Sequence, residues 1–209
     1  MIKKSALFSA VAGEMKKLGF KRWKSNYEYV IDLGPGFEGY CSFADSTHRE
    51  KTAVWIATFA GIRCEAIESR IAAWCGDVIP GWDGSYVPTV SANIGYFTER
   101  VEWLEHRVDL TGDSIEDGIR PSISDVTEVG LGFMRSHASY PGLIEALEFG
   151  RGQLTERRLE RTPLAYALAQ NLEGAYRELE EMKRMVDEGS LMAVRYLRFI
   201  EGFESEFRL

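Results

Sequence analysis

The chain is poor in the side chains that carry most catalysis and metal binding. Its 209 residues include three cysteines and three histidines. Cys41, Cys64 and Cys75 are odd in number and lack C-x-x-C spacing, so they read as reduced core thiols rather than a disulfide framework or a zinc site. His48, His106 and His137 stand alone, with no H-x-x-x-H, no H-E-x-x-H and no Asp-rich calcium loop. Neither a metal nor another cofactor is expected. Long apolar runs are missing too. No window approaches the ~18 apolar residues of a membrane helix, and the N-terminal stretch Ser5 to Gly13 is too short, and broken by Ser9, for a signal peptide. These absences point to a cytoplasmic chain with no membrane partner.

Charge is present in quantity and unevenly placed. The net charge is −7, yet the first 24 residues carry seven basic side chains against one acidic, leaving 18 basic and 31 acidic residues for the rest. The basic head holds Lys3, Lys4, Lys16, Lys17, Lys21, Arg22 and Lys24, with Trp23 and Tyr27 interleaved. Lysines with aromatics can grip phosphate and stack on bases. A pI near 5.2 and the lack of any module signature argue against nucleic acid. A solvated helix face beside an edge strand blunted by lysine accounts for the same residues, and the charge separation can also steer an acidic protein partner.

Periodicity divides the chain into a mixed part and a helical part. Phe8, Val11, Met15 and Leu18 predict an amphipathic helix over 3–18, stopped by Gly19. Tyr27, Tyr29, Ile31 and Leu33 alternate as a strand, and Phe37, Cys41 and Phe43 continue on a second after Gly34-Pro35-Gly36. Thr52 to Ile62 is apolar on both faces, which predicts a central strand covered on two sides. Ile67, Ile71 and Trp74 mark a helix closed by Gly76, and alternating runs at 86–97 and 101–110 follow, where short connections favour antiparallel pairing.

Beyond residue 113 the pattern is helical. Ser122-x-x-Asp125 after Pro121 suggests a capping box, Pro141 opens a helix, and Thr162-Pro163 suggests an N-cap with proline at the first helical position. Arg151 to Arg161 is highly charged and reads as a hinge or solvated helix, the place for a boundary between an α+β domain (1–150) and a helical extension (151–209), if the chain is not one domain. The expected fold is α+β: an antiparallel sheet of about five strands, the first helix and the 66–75 helix on one face, and C-terminal helices over an edge or the other face.

Gly34 to Gly39 matches G-x-G-x-x-G, but Tyr40 to Phe43 continues as a strand, so the glycines serve a hairpin and not a dinucleotide. A kinase loop would need a lysine on the next strand, which Val54 to Ala57 lacks. His106 falls beside Leu104, Val108 and Leu110 on the apolar side of its strand, where it is either a hydrogen-bonded core residue or the base of a small hydrolase or transferase, paired with a carboxylate, Cys41 or Cys64. Trp82, in Pro80-Gly81-Trp82-Asp83-Gly84, either folds back or anchors a partner. Lys16, Lys17, Lys21, Trp23 and Trp82 form the candidate interaction surface, and Trp23 with Tyr27 near an edge strand could equally support a homodimer.

Several of these residues carry a family likeness: Leu18-Gly19-Phe20-Lys21 after the first helix, the aromatic strand Tyr27 to Leu33, Phe43, the strand ending Gly61-Ile62, and later Trp103 and Asp109. On them, residues 1–150 resemble a bacterial domain family of unknown function, family forty-three-oh-four. The resemblance implies an α+β fold with an antiparallel sheet and brings no activity and no catalytic residues. The sequence therefore favours a non-enzymatic protein-binding factor, of the immunity or accessory kind. Hydrolysis through His106 and nucleic-acid binding through the Lys-rich segment are the alternatives.

Overall fold

The computed structural model describes residues 2–23, 27–46, 52–76, 88–112, 114–150, 155–186 and 192–208. Helix α1 (Lys4–Lys17) buries Leu7, Phe8, Val11 and Met15. Its end is set by glycine. Gly19 takes φ +89°, and the amides of Gly19 and Phe20 return to the carbonyls of Lys16 and Met15. This paired closure satisfies two orphan carbonyls and turns Phe20 into the core.

Six antiparallel strands follow: β1 (Lys21–Arg22), β2 (Glu28–Asp32), β3 (Phe37–Ser46), β4 (Ala53–Cys64), β5 (Val90–Asn93) and β6 (Glu105–Asp109). The exposed pair β1 forms the edge beside β2. The β2–β3 hairpin turns through Gly34 and Gly36, both at positive φ. Gly39, the last glycine of the G-x-G-x-x-G match, lets a helix approach: a Cβ there would lie 2.7 Å from the Met134 sulfur and from Ile31.

The runs at 86–97 and 101–110 do not pair with each other. Both lie antiparallel to β4, end to end along one edge, with β5 opposite Phe59–Ile62 and β6 opposite Ala53–Ala57. Strand β4 is central, as expected, but its two sides are treated differently. Val54, Ile56, Ala60, Ile62 and Cys64 enter the cores shared with helices. Trp55, Ala57 and Phe59 belong to neither core. Among the described residues the helices gather on the even-numbered side. Met134 lies against Gly39, Gly130 comes within contact of Ala60, and Gly118 meets Val108. On the odd-numbered side Ala53 and Ala57 are buried and Trp55 and Phe59 are half-buried, without a described helix over them.

The helical part comprises α2 (Glu65–Cys75), α3 (Ile115–Asp125), a π-helical turn (Val126–Gly130), α4 (Leu131–His137), α5 (Tyr140–Phe149), α6 (Thr155–Leu168), α7 (Leu172–Met185) and α8 (Ala193–Glu206). Two proline-based starts are corrected. Helix α3 begins at Ser114, whose hydroxyl accepts from the Asp117 amide 3.1 Å away, with Glu116 and Asp117 in the positive first turn. Pro121 and Ser122 lie inside it. In α6, Pro163 is likewise interior, and Thr162 donates back to the Arg158 carbonyl at 2.9 Å instead of capping. Pro141 does open α5, behind the cap Ser139.

One apolar cluster joins Ile62, Cys64, Ile67, Ile71 and Val90 to Leu143, Leu164, Leu179, Phe199 and Phe203. The charged run ending at Arg161 is not solvated where it is described. Arg161 is 2% exposed and grips Glu68 of α2 through two 2.8 Å hydrogen bonds. Next to it, fully buried Glu160 pairs with Arg195 of α8. Burial pushes the Glu160 carboxyl up, while the Arg195 and Arg161 guanidiniums draw it back down. Helix α8 closes onto α2 through Trp74, which packs so tightly on Gly202 that a Cβ there would lie 2.4 Å from the indole.

Because Glu68 is buried, removing its partner leaves an uncompensated charge. Arg161→Met is expected to cost about 3–5 kcal/mol, and pairing it with Glu68→Leu should recover most of that loss. Urea unfolding of the three variants measures both effects. A single-variant loss below ~1 kcal/mol, the range of exposed pairs, would show that the pair does not hold these helices.

Candidate functional site

His106 faces Asp125, the last residue of α3, with Nε2 2.7 Å from the carboxylate oxygen. Both side chains are half-buried. The pair ties β6 to the point where α3 gives way to the π-helical turn, and a carboxylate so placed fixes the imidazole's orientation. The thiols are not brought to it. His106 pairs across the sheet with Ile56, whereas Cys41 lies opposite Ala60, four residues or roughly 13 Å further along β4. Cys64 is eight residues away on the same strand. Burial pushes both thiols up, which suppresses the nucleophilic thiolate. Among the described residues no group of three His, Cys, Asp or Glu side chains is gathered for a metal, and no helix is long and apolar enough to cross a membrane.

Of the aromatic candidates, Trp23 lies on the side of the sheet away from the helices, whereas Tyr27 packs edge-on against Phe8 of α1 at 4.2 Å. Strand register places Lys21 beside Val30, Tyr40 and Gly61 in one row across that face. The Trp23 amide donates to the Glu28 carbonyl at 2.8 Å, which puts Trp23 in the next row with Glu28, Ser42 and Phe59. Trp103 reaches in from the loop before β6, its ring edge-on to Phe59 at 5.5 Å, and remains 52% exposed. Trp55 lies further along, opposite Arg107.

Polar groups on this face are tied to one another. The Tyr40 hydroxyl donates to Glu28 at 2.9 Å, and burial pushes its phenol up. Arg63 pairs with Glu38 and Glu65, Arg107 lies 3.9 Å from Asp109, and the Trp103 indole N–H points to Glu105 at 3.4 Å.

The Lys-rich head is divided by the sheet. Lys21 joins the aromatic face, but Lys16 and Lys17 sit in the last turn of α1 on the helical side, where they complement the helix's negative end. Lys17 also pairs with Glu14 at 2.6 Å. Trp82 lies outside the described residues.

Trp103 is held by a device that alternation does not signal. Between β5 and β6 the chain leaves the edge of β4 for residues 94–104 and returns. Asn93, 1% exposed, bridges the gap: its Oδ1 accepts from the amides of Gly95 (3.1 Å) and Leu104 (2.8 Å), and its Nδ2 donates to the Leu104 carbonyl (2.9 Å). The side chain thereby substitutes for a missing strand partner. Gly95 is required at the crossing, where a Cβ would lie 2.2 Å from the Glu102 carbonyl oxygen. The loop also holds Val101 at φ +51°, a strained conformation for a β-branched residue. A polar Asn followed two positions later by Gly was the only trace of this closure in the sequence.

Comparison with known proteins adds no relative: no family model, no curated protein and no solved structure matches the chain.

Asn93→Ala strands the Leu104 N–H and C=O, at roughly 1–3 kcal/mol for each buried group left unpaired. The expected outcome is a lower unfolding midpoint together with amide exchange that accelerates first over residues 94–104. Exchange there no faster than in the rest of the sheet would show that Asn93 does not close the loop.

Proposed function

We propose that this chain is a non-enzymatic protein-binding factor, of the immunity or accessory kind, that docks its partner on the helix-free face of the sheet. One observation carries this reading: Trp55, Phe59 and Trp103 share a face outside both cores, with Trp103 half exposed. Large aromatics in such a setting dominate binding energy at interfaces, because they bury much area with little loss of side-chain freedom. The charges around them bear on the partner's chemistry. By register the face carries Lys21, Arg63 and Arg107 against Glu28, Asp32, Glu38, Glu105 and Asp109. An acidic rim repels phosphate, so nucleic acid is disfavoured. A second copy of the chain would meet its own acidic rim. The complementary surface is apolar at its centre and basic around it. The resemblance to family forty-three-oh-four is compatible with a binding role in bringing no catalytic residues.

A second reading, hydrolysis assisted by His106, draws on its 2.7 Å contact with Asp125. It requires a reacting group opposite Nδ1, where no described residue is hydrogen-bonded.

Affinity capture from the native host separates these readings. A partner of the docking face should be retained by the wild type and weakened at least roughly thirtyfold by Trp103→Ala, the ~2 kcal/mol scale of an interface hot spot. The same partner should be indifferent to Lys16→Ala, Lys17→Ala and His106→Gln. Retention unchanged in Trp103→Ala would place the contact elsewhere, and low-salt binding of a single-stranded oligonucleotide would overturn the protein-partner reading.

A further inference from the structure

A second site lies on the helical side of the molecule, away from the docking face. A cavity of about 350 Å3 opens between the 3-10 turn Ile94–Phe97, the π-helical turn with α4, and α5. This volume falls in the range of small-molecule sites. One wall is a ladder of rings. Phe97 stacks on Phe133 with centroids 3.8 Å apart and planes at 10°, and His137 lies over Phe133 at 4.5 Å. Phe149 stands at the rim, 54% exposed.

The ionisable side chains of the lining are His137 and Glu145, beside the hydroxyls of Tyr96, Thr98 and Ser136. Nδ1 of His137 lies 2.8 Å from the Phe133 carbonyl oxygen. The Ser136 hydroxyl lies at the same 2.8 Å from Nδ1, and together these contacts fix the ring against α4. Glu145 lines the opposite side from α5, exposed and without a hydrogen bond or ion pair to any described residue. Among the described residues no lysine or arginine lines the cavity.

The walls are built by unusual backbone. A five-residue π-helical turn is rare and recurs at functional sites. Here it ends at Gly130, whose absent Cβ would sit 3.1 Å from Ile94 of the facing 3-10 turn. Gly95 fixes that facing turn against Glu102 and Leu104. Both walls are therefore set by close packing at a glycine.

We propose that this cavity binds a small arylalkylamine, its flat ring against the Phe97–Phe133–His137 ladder and its ammonium group toward Glu145. Ring faces attract cations and flat π-systems. An ammonium donates to a carboxylate in a charge-assisted bond. A carboxylate or phosphate ligand would meet the Glu145 carboxylate, with no lysine or arginine among the described lining residues to offset it.

Tryptamine and indole-3-acetate, which share a ring and differ in the sign of the side-chain charge, test this directly. Saturation-transfer NMR and calorimetric titration of the full chain should show tryptamine bound at least tenfold more tightly than indole-3-acetate. Glu145→Gln, on an exposed helix face that leaves folding intact, should remove most of that preference. Imidazole and aromatic resonances of His137 and Phe133 should shift on addition of tryptamine. No transfer to tryptamine at millimolar concentration, equal binding of the two probes, or a preference unchanged in Glu145→Gln would each overturn the proposal.

Discussion

The architecture turns on the length of β4. Twelve residues long, it is matched along one edge by ten-residue β3, but along the other only by the short strands β5 and β6 in tandem. Every backbone group of a buried strand must find a partner, and where two partners meet end to end the chain between them has to leave and return. Asn93 resolves this with its side chain, bonding both polar groups of Leu104 and so closing an eleven-residue excursion at its base. The 3-10 turn, strained Val101 and Trp103 all lie on that excursion.

A second constraint fixes the helical layer. Helices α5 to α8 extend the hydrophobic core beyond the end of the sheet, and their apolar contacts alone do not specify how α6 lies against α2. The Glu68–Arg161 fork does, because a buried carboxylate with two directed hydrogen bonds tolerates little displacement. Glu160 and Arg195 repeat the device one residue earlier, between α6 and α8. Adjacent side chains on one helix thus bind two different neighbours, and the packing of Trp74 on Gly202 draws those neighbours together.

Much of the fold was legible in local patterns. Leu18-Gly19-Phe20 predicted the end of α1 because only glycine takes that backbone conformation cheaply, and the parity of β4 correctly sorted Val54 and Ile56 from Trp55 and Phe59. Signals of equal local strength misled where tertiary context decided between them. Ser122 and Thr162 each precede or follow a proline as an N-cap would, yet Ser114 and an upstream α6 turn won, and both prolines were absorbed inside helices. Charge density around Arg161 suggested solvent because a sequence does not show a carboxylate 93 positions away. The face left bare by the helices was equally hidden: both sides of β4 read as apolar, and only the packing of α3 and α4 reveals which side they chose. The cavity beside α4 draws Phe97, Phe133, His137 and Glu145 from three segments, and none of the four stood out alone.

The two surfaces meet in the excursion. Its first residues, through Phe97, form one wall of the ring-lined cavity, and its last, Trp103, rests on Phe59 across the sheet edge. Between them the chain is confined by Gly95 against Glu102 and Leu104, so the start and end of the loop are in contact even though its tip is exposed. The 3-10 turn, Glu102 and Leu104 are thus held together by steric contact and by the hydrogen bonds of the shared Asn93. The loop therefore holds Trp103, on the face proposed for docking, and one wall of the cavity under a single set of contacts.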